Sequence, residues 1–319
     1  MSADAQLLAL SGGIGGAKLA LGLDRVLPAG RLTVLANTGD DFVHLGLHVS
    51  PDIDTLLYTL AGLDDPVRGW GRKDETWTFM AALKALGGED WFLLGDGDLA
   101  THVERSRLLA AGETLSAVTE RLRSRLGIGS AVLPMSDDPV RTRVKTKSEG
   151  WLDFQPYFVG RRCEPEVEAL AFDGAEDARL APGVAAALDD PALAAIIICP
   201  SNPYLSIDPI LAVPGMRASL ENRRVPVLAV SPIIAGQAVK GPTAKMMREL
   251  GLEPSAATVA RHYEGLVDIL VVDEADEGLA VPAGMRAVAA PTWMRTLEDR
   301  TRLARRVLEA LGWQAGAAS

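Results

Sequence analysis

The opening segment of about forty residues constrains this chain more than any other part of it. An apolar run at residues 6–10 leads directly into Ser11-Gly12-Gly13-Ile14-Gly15-Gly16. Residues 17–26 then carry helical periodicity, with Leu19, Leu23 and Val26 on one face, until Pro28 and Gly30 stop the helix. Leu32-Thr33-Val34-Leu35-Ala36 is a second apolar run of strand length. Strand, glycine turn, helix and strand make a βαβ unit, whose strands run parallel. A parallel sheet is buried on both faces and needs helices on each.

Later runs repeat the pattern. Residues 195–199 break at Pro200-Ser201-Asn202-Pro203, residues 225–230 break at Ser231-Pro232, and residues 269–272 end at Asp273-Glu274. Residues 72–165 differ: they carry helical stretches (76–86, 115–126) and a strand pair (141–147, 151–159). The expected architecture is therefore a single α/β domain over residues 1–319. It is a Rossmann-like parallel sheet with helices on both faces and an inserted α+β subdomain at 72–165. A chain of 319 residues, 48% of them hydrophobic, can bury such a core.

The formal net charge of −10 makes the chain a poor ligand for nucleic acid or an anionic membrane. An anionic substrate must then be met by local cations, backbone N–H groups or a metal. Cys163 and Cys199 lack CxxC spacing, so neither a disulfide scaffold nor a structural zinc site is expected. His44 and His48 stand four apart, but Gly46 and Pro51 argue against the helix a zinc pair would need. The N-terminus has no basic segment before its short apolar run, and no apolar stretch reaches the roughly 18 residues that span a bilayer. The expected compartment is the cytoplasm.

Strand ends in an open α/β sheet are where ligands bind, and here they carry the polar motifs. The first glycine loop sits between a strand and a helix, which suits anion binding by backbone N–H groups and the helix dipole. It is not the dinucleotide fingerprint, because Lys18 occupies the third glycine position, and it is not a P-loop. The second strand ends in Asn37-Thr38-Gly39-Asp40-Asp41, and Pro51-Asp52-Ile53-Asp54-Thr55 follows. Carboxylates in two neighbouring loops suit Mg2+, although Asp52 and Asp54 also stand where a helix cap would. Ser201, Asn202, Ser231 and Lys240 lie in loops after later strands and are candidates for base or phosphate contacts. Arg141, Arg143, Lys145 and Lys147 alternate with uncharged residues and share one strand face, either a phosphate patch or a solvated edge.

Taken together and in order, these loops resemble the 2-phospho-L-lactate transferase family of coenzyme F-420 biosynthesis. The resemblance covers residues 7–275. It rests on residues 11–19, 37–41 and 48–55, on Gly69-Trp70-Gly71 with Thr76-Trp77, and on Leu94-Gly95-Asp96-Gly97-Asp98-Leu99-Ala100-Thr101-His102. Pro134-Met135-Ser136-Asp137-Asp138, Phe154-Gln155, Pro200-Ser201-Asn202-Pro203, Ser231-Pro232-Ile233 and Lys240-Gly241-Pro242 complete it. It implies transfer of a phospho-acid from a guanosine diphosphate-linked donor to the ribityl hydroxyl of the deazaflavin Fo, with GMP leaving and Mg2+ assisting. The acid is phospholactate, phosphoenolpyruvate or 3-phosphoglycerate. The resemblance places metal and catalysis on Asp40 and Asp54, with Asp41 and Asp52 nearby. It turns Asn37, Ser201 and Asn202 toward the guanosine, and gives Fo contacts to Asp54, Asp96, Asp98 and Thr101. Gly12, Gly13, Gly15, Gly16, Lys18, Thr38, Thr55, Ser231 and Lys240 complete the implied substrate-binding set, and the implied assembly is a homodimer. On this footing Asp54→Asn is expected to leave folding nearly unchanged and to lower turnover by roughly a hundredfold or more. Two departures stand out: Ile14 where the family often has Thr, and Gly97 where it usually has Arg, with Arg72 and Arg105 the candidates to compensate.

Two rival readings differ in class. A nucleotide-sugar-binding regulator of the same superfamily would share the glycine loop without needing the Asp40-Asp41 and Asp52/Asp54 acids. A nicotinamide oxidoreductase is disfavoured by Lys18 and by Asn37 where an acid would be wanted.

Overall fold

The structure is a computed structural model that describes residues 4–238 and 241–313. Its strands in chain order begin with β1 (Gln6–Ser11), β2 (Leu32–Ala36), β3 (Phe42–His44), β4 (Leu47–Val49), β5 (Ala131–Pro134), β6 (Arg141–Thr146) and β7 (Gly150–Asp153). They continue with β8 (Val167–Asp173), β9 (Leu193–Ile198), β10 (Val227–Val230), β11 (Ile233–Ile234), β12 (Gln237–Ala238), β13 (Ile269–Asp273) and β14 (Arg286–Ala290). The central sheet has seven strands in the order β14-β13-β10-β9-β1-β2-β5, and every neighbouring pair is parallel. The chain grows outward from β1 through β2 to β5, then crosses back to pair β9 with the other side of β1. That reversal between β1 and β9 is the switch point of a doubly wound sheet, where a crevice opens at the carboxyl ends.

Strand alternation divides the core into two. Leu7 and Ala9 of β1 point into one cluster, with Ile53, Leu56 and Leu303. Leu8 and Leu10 point into the other, with Tyr204, Ile210 and Val259. Helices α1 (Gly13–Val26), α2 (Pro51–Leu60) and the last helix (Leu297–Ala310) cover the first face. The shorter helices Pro182–Asp189, Asp208–Ala212 and Ala256–His262 cover the second. This is the Rossmann-like α/β sandwich that the βαβ opening demands.

Between β4 and β5 lie α2 and three further helices, α3 (Thr78–Ala85), α4 (Asp96–Ala110) and α5 (Leu115–Arg125). The antiparallel sheet β7-β6-β8 follows β5. The span 72–165 thus contains β5, a strand of the main sheet, with extra elements on either side of it. The strand expected over 151–159 stops at Asp153 and gives way to a π-helical turn, Pro156–Gly160. Pro156 lacks the N–H a strand needs and starts a helical turn readily. No helix among the described residues is long and apolar enough to cross a membrane.

Candidate functional site

A pocket of about 830 Å3 opens at the carboxyl ends of β1, β2, β9 and β10. Its floor on one side is the glycine loop. Gly13 has φ of 64°, a left-handed conformation that favours glycine. Its neighbours are glycine because the β9 loop presses on them: a Cβ on Gly15 would meet the Pro200 carbonyl oxygen at 2.3 Å, and Gly12 and Gly16 are as tightly met by Ser206 and Ser11. Ser201 staples the two loops. Its Oγ accepts from the Gly12 amide at 3.1 Å and donates to the Gly12 carbonyl at 2.8 Å.

The start of α1 is partly occupied from within. The Gly13 amide donates to Asp52 Oδ1 at 2.6 Å. Helix geometry leaves the Ile14 and Gly15 amides without intrahelical acceptors, and both residues line the pocket. An anion there meets N–H groups and the positive end of the dipole. Lys18, one turn in, donates from Nζ to the Met294 carbonyl at 2.9 Å at the pocket edge.

The acids divide into distinct environments. Asn37 is fully buried, and its Nδ2 donates to Asp40 Oδ1 at 3.2 Å and to Asp52 Oδ2 at 3.0 Å. Asn37 thus holds two carboxylates together and does not line the pocket. Burial, then the Asp52 charge, pushes the Asp40 carboxyl well above its usual range. Burial also pushes Asp52 up to about 6, although Asn37 and the Gly13 amide pull the other way. Asp41 turns away: its Oδ2 accepts from Ser50 at 2.7 Å and lies 3.0 Å from His48 Nε2. Asp54 lines the pocket, and both its oxygens accept from the guanidinium of the fully buried Arg105, Oδ2 from Nη1 at 3.0 Å. Neither Asp52 nor Asp54 is the cap of α2. Ser50 holds that position, and the two acids sit in the first turn, where the dipole favours them.

Helix α4 supplies the opposite wall. Asp98 and His102 line the pocket with Tyr58 of α2, whose hydroxyl donates to Asp98 Oδ1 at 2.6 Å. Asp96, at the start of α4, lies outside the pocket. It accepts from Thr76 Oγ1 at 2.6 Å and from the Thr78 and Phe79 amides, which hold its carboxyl below the usual range and tie α3 to α4. Arg72 donates to the Gly97 carbonyl at 3.3 Å and its guanidinium lies 5.4 Å from the Tyr58 ring centroid. The rim is aromatic: Trp70, Trp91, Phe92, Phe154 and Phe158 all line it. Phe154 stacks on Phe158 with centroids 5.3 Å apart.

Of the other expected site residues, Gly12, Gly13, Gly15, Thr55, Ser201, Asn202 and Ser231 line the pocket, whereas Gly16, Thr38 and Thr101 do not. Asn202 Oδ1 accepts from the Tyr204 and Leu205 amides, and its Nδ2 is buried without a hydrogen-bond partner among the described residues. Ser231 closes a turn with Ile233. Lys240 lies outside the described residues. The basic strand is a solvated face: Arg143 pairs with Asp153 and Asp173, Lys145 with Glu168, and Lys147 with Glu166. Tyr58, His102 and the Trp91-Phe92 rim were not singled out in the sequence as ligand contacts. His102 stands in a quoted motif, and only its spacing of four from Asp98 on a helix hinted at a shared face.

Residues 7–292 match the family described as 2-phospho-L-lactate transferase CofD. The chain belongs to that family. A phosphoenolpyruvate transferase of Streptomyces griseus is 44% identical over 312 residues, covering 95% of this chain and 98% of the relative. A 2-phospho-L-lactate transferase of Methanosarcina mazei is 40% identical over 307 residues, covering 95% and 100%. A crystal structure of a upf0052 family protein from Bacillus halodurans shares the fold, with a TM-score of 0.62 at 12% identity over 97% of this chain and all of that one. As a member of the CofD family, this chain is a phospho-acid transferase.

Proposed function

We propose that this CofD-family chain moves a phospho-acid from a guanosine diphosphate-linked donor to the ribityl hydroxyl of Fo, releasing GMP, in coenzyme F-420 biosynthesis. The observation that carries the reading is the convergence of three features on one pocket. It joins a helix start whose Ile14 and Gly15 amides lack intrahelical acceptors, a buried acid pair and an aromatic rim. Transfer at phosphorus needs positioning and charge neutralisation more than covalent help from protein. The Ile14 and Gly15 amides take the donor's phosphate oxygens, and the unpaired Asn202 amide nitrogen takes an acceptor atom of the base. Trp70, Trp91 and Phe158 wall the deazaflavin ring.

Mg2+ belongs to this reading, and the residues fit it. Asp40 has one oxygen bonded to Asn37, and burial beside the Asp52 charge raises its carboxyl, so an added cation would favour its charged form. Mg2+ takes one or two carboxylates and completes its shell with substrate phosphates and water. Among the described residues no group of three or more His, Cys, Asp or Glu side chains is arranged for a metal, so the protein's share is small. Asp40 would hold the ion, and Asp54 would offer a second carboxylate, shared with Arg105. The bound ion supplies charge neutralisation at the transferring phosphorus.

The phosphoenolpyruvate transferases among the relatives make phosphoenolpyruvate the first donor acid to try. Calorimetry tests the two halves separately. GDP is expected to bind more tightly than ADP, because a base-specific amide is left unpaired by the wrong base. Fo is expected to bind saturably without NAD or FAD. Equal affinity for the two nucleotides, or no heat with Fo, refutes the corresponding half.

A further inference from the structure

His102 sits at the wall of the pocket with a side chain about 2% exposed. Its Nδ1 lies 3.3 Å from Arg105 Nη1. A guanidinium nitrogen can only donate, so Nδ1 carries the lone pair and the ring proton belongs on Nε2. Arg105 is in turn held by its two bonds to Asp54, so the ring's tautomer is set by a buried ion pair. Nε2 then has a hydrogen to give and, among the described residues, no partner in hydrogen-bond geometry. Asp98 Oδ1, which accepts the Tyr58 hydroxyl, lies 3.3 Å away: close enough to attract the ring N–H, yet not aligned to satisfy it. A buried donor left unpaired is costly, and such a group in a cavity wall is one a ligand satisfies.

We infer that His102 Nε2 and Asp98 form a recognition site for one hydroxyl of a polyol chain. A hydroxyl is the group that fits both: it accepts from a ring N–H and donates to a carboxylate beside it. An amine would face the N–H with no strong acceptor, and a phosphate would meet the Asp98 charge. The buried position of the pair, with Tyr58 bracing Asp98 and Arg105 bracing His102, fixes it on two helices and leaves it little freedom to adapt. The inference deepens the proposed function, because the ribityl chain of the acceptor is such a polyol, and it rests on that reading. His102 is a specificity-determining residue in this scheme, and Arg105 a positioning residue.

The test compares two probes on two variants by fluorescence titration. The probes are Fo and a deazaflavin carrying a plain alkyl chain in place of the ribityl group. The variants are His102→Leu, which has no donor, and His102→Gln, whose amide can donate. The expected result is that His102→Leu loses about tenfold in Fo affinity, the scale of one hydrogen bond. The alkyl probe binds wild type and His102→Leu alike, and His102→Gln recovers part of the loss. GMP binding, measured in parallel, shows that the variants are folded. Unchanged Fo affinity in His102→Leu overturns the inference. So does equal loss of both probes, which assigns His102 a structural role. Wild-type protein that binds no Fo at all overturns the acceptor reading, and with it this site.

Discussion

Among the described residues Arg105 is the largest fully buried side chain, and its partner Asp54 is also buried. The pair is the strongest electrostatic commitment in the site, and it can be weighed. Asp54→Leu strands a guanidinium away from water, and Arg105→Met strands a carboxylate. Breaking one half of a buried pair costs about 3–5 kcal/mol, most of it the desolvation of the charge left behind. Asp54→Leu with Arg105→Met removes both charges, so the double variant should lose no more than either single one. The coupling between the sites is then about 3 kcal/mol or more, well above the few tenths expected for independent positions. Urea unfolding followed by circular dichroism, with linear extrapolation, reads all four corners of the cycle. The exposed pair Arg143 and Asp173, 3.2 Å apart, is the control and should show no measurable coupling. Additive losses at Asp54 and Arg105, or single losses under about 1 kcal/mol, would refute the claim that this pair organises the site.

Three further outcomes follow from particular contacts. Gly15→Ala drives a Cβ against the Pro200 backbone carbonyl, so it should lower thermal stability by about 1–3 kcal/mol and weaken GMP binding; unchanged melting would mean the two loops do not pack as described. Burial raises the Asp40 and Asp52 carboxyls above their unfolded values, Asp52 to about 6. The folded chain then binds more protons, so this contribution to stability is present at low pH and is lost as pH rises from about 4 through about 6. In Mg2+-free buffer Asp52→Asn should flatten that part of the melting-temperature profile, and an identical profile would contradict the assignment. Asn202→Leu keeps a similar volume but lacks the free amide nitrogen, so it should narrow the preference for GDP over ADP; an unchanged ratio removes Asn202 from base recognition.

The fold was legible because its signals are local. A βαβ opening and apolar runs ending in proline or polar loops identify a parallel sheet, and β1, β2, β9, β10 and β13 stand within a few residues of where those runs lie. The two edge strands escaped. β5 is only four residues long, and β14, with its Arg-Ala-Val-Ala-Ala sequence, lacks a strong apolar run. The polar loops were legible for the same reason, and Asp40, Asp52, Asp54, Ser201 and Asn202 do converge on one pocket. What each does there was not, because partners come from far along the chain. Asp54 reads as a cap or a metal ligand, and nothing in the sequence pairs it with Arg105, 51 residues away, which holds both its oxygens. Asn37 reads as a base contact until its amide is found between two acids. On the same ground Asp54→Asn is now expected to cost stability as well as turnover, since it leaves the Arg105 charge buried without its counterion.

The central claim is a reaction, so the most direct measurement is of its products. Purified protein is incubated with Fo, Mg2+ and guanosine diphosphate-linked phosphoenolpyruvate, phospholactate or 3-phosphoglycerate in separate reactions. Mass spectrometry follows the deazaflavin, and chromatography follows the nucleotide. The account predicts that with at least one donor Fo gains the mass of the phospho-acid, that one GMP appears per product, and that a chelator stops both. Folded protein that binds Fo and GDP, yet yields neither the heavier deazaflavin nor GMP with any of the three donors, would contradict it.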